Sequence, residues 1–137
     1  MTIAEVFDGP GVEGHETLGG DMLRKIPAER WPEARLETAP CLRLLAFRYP
    51  VNAWYSAARE ADAHTQIAPP DPAEEYVAIT RRDYVVRRLT LSKPQHALLG
   101  ALQRGETIGR AIASAAEDTD ASDKQFASEL LGWFAVW

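Results

Sequence analysis

The spacing of apolar positions changes several times along the chain, and each change predicts a different element. In PCLRLLAFRYP, Pro40 to Pro50, the side chains alternate: Leu42, Leu44 and Ala46 fall on one side, Arg43, Leu45, Phe47 and Tyr49 on the other. A period of two between prolines predicts a strand with at least one buried face. After Pro50 the spacing switches, and Trp54, Ala57 and Ala58 predict a short helix with Pro50 in its first turn. The following IAPPDPAEEY is proline-rich and predicts a stiff, extended connection.

Period two then returns. Tyr76 to Thr80 and Tyr84 to Leu91 are β-prone runs separated by Arg81, Arg82 and Asp83, which predicts a hairpin. No Asn-Gly or Asp-Gly pair specifies its turn type. Ser92-Lys93-Pro94-Gln95 is a capping box, in which serine and glutamine reciprocally satisfy backbone N–H groups at a helix start. The helix that follows has Ala97, Leu98, Ala101 and Leu102 on its apolar face and Gly105 to end it. Thr107 caps a second helix with the face Ile108, Ala111, Ile112 and Ala115. Ser122-Asp123-Lys124-Gln125 opens a third, striped with Phe126, Leu130, Trp133, Phe134 and Trp137.

A strand, a hairpin and three helices predict an α+β fold, a small antiparallel sheet followed by three helices in a winged-helix-like order. Residues 1–35 are expected to be a weakly structured N-terminal segment, broken by Gly9, Gly11, Gly14, Gly19 and Gly20, with a short helical piece around Asp21 to Ile26 ended by Pro27. The domain proper is then 36–137.

Length and composition narrow the field. At 137 residues the chain accommodates one domain, and its 46% hydrophobic and 26% charged content is that of a soluble globular protein. No apolar run approaches the ~20 residues of a membrane span. The opening MTIAEVFDGPGVEGHE has neither the basic nor the apolar region of a signal peptide, so a cytoplasmic location is expected. Cys41 is the single cysteine and, among apolar neighbours, is expected to be a buried structural thiol. A net charge of −5 weighs against phosphate binding, which asks for a basic face.

Catalytic constellations are scarce. His15, His64 and His96 stand in unrelated contexts without metal-ligand spacing, so no metal is expected in this chain. Gly11 and Gly14 lack the Lys-Ser/Thr that completes a phosphate loop. Glu117, Asp118, Asp120 and Asp123 cluster at a connection between helices, where they suit a solvated turn and a helix N-terminus. The aromatic stripe at the carboxyl end reads first as core, although Trp133, Phe134 and Trp137 lie where burial is least assured and one of them can face a partner.

The segment EEYVAITRRDYVVRRLTLSKPQHALLGALQRGETIGRAI, with FASELLGWFAVW behind it, resembles the PqqD-like recognition domains of peptide-modifying pathways. It also resembles the C-terminal domain of the family named for DNA binding and represented by MbnC, BufC and HvfC, and LRLLAFRYPVNAWYSAAR is similar to the segment that precedes the hairpin there. The likeness covers roughly Leu36 to Trp137. The amino-terminal helical domain of the larger members has no counterpart in this chain, so in size it is similar to short partners such as TglI and ChrI.

The resemblance implies a RiPP recognition element: a non-catalytic subunit that binds the leader of a ribosomally made precursor peptide. It implies a heterodimer partner, a multinuclear non-heme iron oxidative enzyme, which holds the iron and modifies the precursor's cysteines. A leader can add as a strand to a sheet edge. Carried over by element, that edge is Tyr84, Val85, Val86, Arg87, Arg88 and Leu89, and the opposite wall is Phe126, Leu130 and Trp133 of the last helix. Arg87 and Arg88 alternate between faces, so one can pair with leader carboxylates while the other serves the enzyme interface; protection of the edge from aggregation is the plainer account of both.

Two other classes compete. A winged-helix DNA-binding regulator would use Arg81, Arg82, Arg87 and Arg88 as a wing and Gln95 to Arg104 with Thr107 to Glu117 as a helix-turn-helix pair. Its groove helix, TIGRAIASAAEDTD, offers a single arginine and an acidic end that repels phosphate, so nucleic acid is the weaker expectation. An enzyme acting alone lacks any acid, base or ligand spacing to support it.

Overall fold

The computed structural model describes residues 3–14, 25–62 and 65–136. The described elements are α1 (Ile3–Asp8), a 3₁₀ helix (Ala28–Glu33), β1 (Arg43–Phe47), α2 (Val51–Glu60), β2 (Glu75–Arg82), β3 (Val85–Leu91), α3 (Lys93–Gln103), α4 (Ile108–Ala116) and α5 (Asp123–Val136). The fold is α+β, with a three-stranded antiparallel sheet in the order β1-β2-β3. The chain forms two compact units, each discontinuous in sequence: Met1–His15 with Ala39–Ser92, and Glu16–Thr38 with Lys93–Trp137.

The first unit is built on the sheet. Register places Leu45 opposite Val77 and Arg81 opposite Val86, so Leu45, Phe47, Val77, Ile79, Val86 and Arg88 share one face by alternation. Val6 of α1, 1% exposed, packs with Val77, Ile79 and Cys41 into the core of this unit. Residues 3–14, read from the sequence as part of a weakly structured leader, thus contribute a helix and a core side chain. The short helix expected around Asp21 to Ile26 falls mainly outside the described residues.

The hairpin turn differs from the expected one. Arg81 and Arg82 belong to β2, and the turn is Asp83-Tyr84, with φ of 53° and 60°. Positive φ at both central residues is the type I′ geometry whose twist matches the strands, normally served by Asn-Gly. The strand extends because Arg81 is held in place: its guanidinium meets Glu13 and the Phe7 carbonyl, while its backbone N–H donates to Cys41 Sγ at 3.4 Å. Cys41 is buried, as its apolar neighbours suggested.

The second unit is helical and locally punctuated. Gly105, at φ 77°, donates to the Leu102 carbonyl, and Glu106 donates to that of Ala101. That pair of bonds is the Schellman motif which closes α3. Thr107 Oγ1 accepts from the Arg110 N–H and caps α4. The core of this unit is Leu98, Ala101, Leu102, Ile108, Ala111, Ala115 and Phe126. Arg35 bridges to Thr107 and also donates to the Gly105 carbonyl, which fixes the segment after the 3₁₀ helix to the turn between α3 and α4.

Candidate functional site

Two features of the first unit can meet a ligand: the outer edge of β3 and a cleft on the sheet face. Among the described residues no strand lies beyond β3. In a two-residue hairpin the pair flanking the turn, Arg82 and Val85, exchanges both hydrogen bonds, and bonded pairs then alternate along the ladder. Val85, Arg87 and Leu89 therefore direct their backbone groups at β2. Val86, Arg88 and Thr90 direct theirs outward, as donors and acceptors along the edge that are unpaired among the described residues.

The side chains along this edge differ in status. Tyr84 is in the turn, 70% exposed, with its ring 5.8 Å from the Arg81 guanidinium, so it is not part of the strand as the sequence suggested. Val85 and Arg87 are exposed, and the Arg87 side chain makes no hydrogen bond or ion pair among the described residues. Val86 packs against the sheet-face core, and Leu89 is half-buried on the other face. Arg88 is half-buried and tied down. It donates to Asn52 Oδ1 at 2.8 Å and Ser56 Oγ at 3.3 Å, and its guanidinium lies 4.6 Å from the Tyr55 ring centroid.

The remaining expected residues belong to the second unit. Phe126 is buried in its core, with its ring edge-on to Trp133 at 5.8 Å, and Leu130 and Trp133 pack half-buried against that core. The stripe they form is accounted for by helix packing. The Phe134 side chain and Trp137, together with His15 and His64, lie outside the described residues.

Three structural ties escaped the sequence. Helix α2 begins after Pro50, which has no side-chain oxygen to cap it; the Glu75 carboxylate does so instead, accepting from the N–H groups of Asn52 at 2.7 Å and Ala53 at 3.4 Å. Asn52 then donates its side-chain amide to Thr90 Oγ1 at 3.1 Å while accepting from Arg88. The third is an ion pair between Glu13 and Arg81 at 3.0 Å, which the Tyr84 N–H joins at 3.1 Å. The Arg81 guanidinium, the Glu13 backbone N–H and the Tyr84 N–H together hold the Glu13 carboxyl down to about 2, against an ordinary 4.5. A Cβ at Gly11 would meet the side-chain ends of both partners, so a larger residue there would have to displace the pair. None of these ties is a local motif, and only the charge of Glu13, Glu75 and Arg81 hinted that each needed a partner if buried.

The cleft lies between α1 and α2 and holds about 190 Å³. Leu45, Phe47, Val77 and Ile79 form its sheet side; Ile3 of α1 and Val51, Asn52 and Tyr55 of α2 flank it, and Arg88 supplies its charge. Elsewhere, burial pushes the His96 imidazole below its ordinary value. Among the described residues no group of three or more His, Cys, Asp or Glu is placed to hold a metal ion, and no described helix is long and apolar enough to cross a membrane. Compared with family models, curated proteins and solved structures, the chain matches none of them.

Proposed function

We propose that this chain is a non-catalytic recognition subunit: it takes up the leader of a ribosomally made precursor peptide as an added strand on β3. It presents the precursor to a multinuclear non-heme iron oxidative enzyme, its heterodimer partner, for cysteine modification. Iron and oxygen chemistry belong to that partner, and the work is cytoplasmic. In this reading the hairpin is the wing of a winged-helix-like recognition element and α3, α4 and α5 are its helices.

The observation that carries the reading is the open edge of β3, where Val86, Arg88 and Thr90 turn their backbone groups outward beside an exposed Arg87. Main-chain pairing supplies affinity for an extended peptide, and an exposed cation beside that edge favours an acidic one. A DNA-binding regulator is less well supported. Helix α4 carries Arg110 as its single cationic residue and runs into Glu117, Asp118 and Asp120.

Tagged chain recovered from its native cells tests the proposal, with mass spectrometry and iron analysis of what accompanies it. Co-recovery of a Cys-bearing peptide with an iron protein is expected. Recovery of DNA instead, released steeply by salt, would support the regulator and contradict the proposal.

A further inference from the structure

The α1–α2 cleft has a chemistry of its own. Its walls are apolar apart from Asn52 and Arg88, yet Arg88 is a cation that no carboxylate pairs with among the described residues. Its partners among the described residues are neutral: Asn52 Oδ1, Ser56 Oγ and the Tyr55 ring. Those bonds use one N–H on each terminal nitrogen and leave the remaining donors of the guanidinium unused among the described residues. Glu75, the carboxylate on the same sheet face, is engaged by the N-terminus of α2. A half-buried, immobilised cation beside apolar walls is complementary to one kind of ligand, an anion with an apolar body.

We infer that the α1–α2 cleft is a binding site for a small monocarboxylic acid, its carboxylate on Arg88 and its hydrocarbon part against Leu45, Phe47, Val77 and Ile79. Size sets the class. A dry cavity of ~150 Å³ accepts benzene, so the 190 Å³ here suits an acid of about six to eight carbons. The guanidinium fork, already oriented by Asn52, Ser56 and Tyr55, offers a carboxylate paired donors at little entropic cost. The two sites share Arg88 but use different groups of it: the acid meets its side chain on the face of the sheet, whereas strand addition uses its backbone at the rim.

The test is a titration of the full chain with hexanoate, followed by ¹⁵N amide shifts, alongside hexanamide and butyrate. Hexanoate should bind saturably, shift the amides of Val77 and Ile79, and bind about tenfold to a hundredfold more tightly than hexanamide, the span expected for losing one charge-assisted pair. Butyrate should be weaker, since it leaves apolar wall uncovered. Arg88→Gln should abolish the preference for acid over amide. Because Arg88 also anchors α2, Val51→Phe serves as the second variant: it fills the cleft, leaves the guanidinium intact, and should abolish hexanoate binding in a folded protein. Absence of saturable hexanoate binding, equal affinity for acid and amide, or undiminished binding by folded Val51→Phe would each overturn the inference.

Discussion

The two compact units are stabilised in different ways. In the helical unit the caps are chiefly local, with Arg35 adding one remote tie to the Gly105 carbonyl: Thr107 caps the helix it precedes, and Gly105 closes the one it follows with bonds back to Leu102 and Ala101. In the sheet unit it is remote. Glu75 caps a helix that begins 24 residues earlier at Val51, and Glu13 holds an arginine 68 positions away. Local chemistry can be read along a chain, whereas remote chemistry appears only when the fold brings its partners together.

Four experiments sharpen this contrast, taken from the largest effect to the smallest. Leu98→Ala opens a cavity at a fully buried position of the helical core and should cost about 2–5 kcal/mol in denaturant unfolding. A cost below 1 kcal/mol would show that this core is not close-packed. Glu75→Gln removes the charge of the remote cap and should cost about 1–2 kcal/mol, with faster amide exchange at Asn52 and Ala53. Thr107→Ala removes the local cap and should cost about 1 kcal/mol, with its effect confined to the start of α4. If it disturbed the sheet unit as strongly as Glu75→Gln, the distinction between local and remote caps would fail.

The fourth is acid titration of the Glu13–Arg81 pair. Its folded carboxyl lies below the ordinary value, so its contribution is complete above pH 4.5 and is lost as the pH falls toward about 2. The amide proton of Tyr84, bonded to Glu13, should report that titration with a midpoint near 2, and Glu13→Gln should remove it. A midpoint near 4.5 would show that the pair does not form in solution.

The same contrast explains how much was legible in the sequence. Strand β1, the hairpin and α2 to α5 follow from periodicity, and the end of α3 and the start of α4 follow from Gly105 and Thr107. The turn was misplaced because Asp83-Tyr84 lacks the glycine that usually marks a type I′ turn; Arg81, anchored from the other end of the unit, holds β2 in register through Arg82. Helix α1 was missed because six residues give too little periodicity, and what places it is the burial of Val6 against the sheet. At the candidate site, alternation correctly separated Arg87 from Arg88. It did not show that one is exposed while the other is held by Asn52, Ser56 and Tyr55.

The central claim is that an extended peptide pairs with β3. Its most direct test follows the backbone amides of the hairpin by NMR while an acidic, extended leader peptide is added to the full chain. New protection from exchange is expected at Val86, Arg88 and Thr90, with Val85, Arg87 and Leu89, already bonded to β2, unchanged. Val86→Pro should weaken binding with the hairpin intact, since the donor it removes faces outward. Saturable binding that leaves Val86, Arg88 and Thr90 unprotected, or undiminished affinity in folded Val86→Pro, would contradict it.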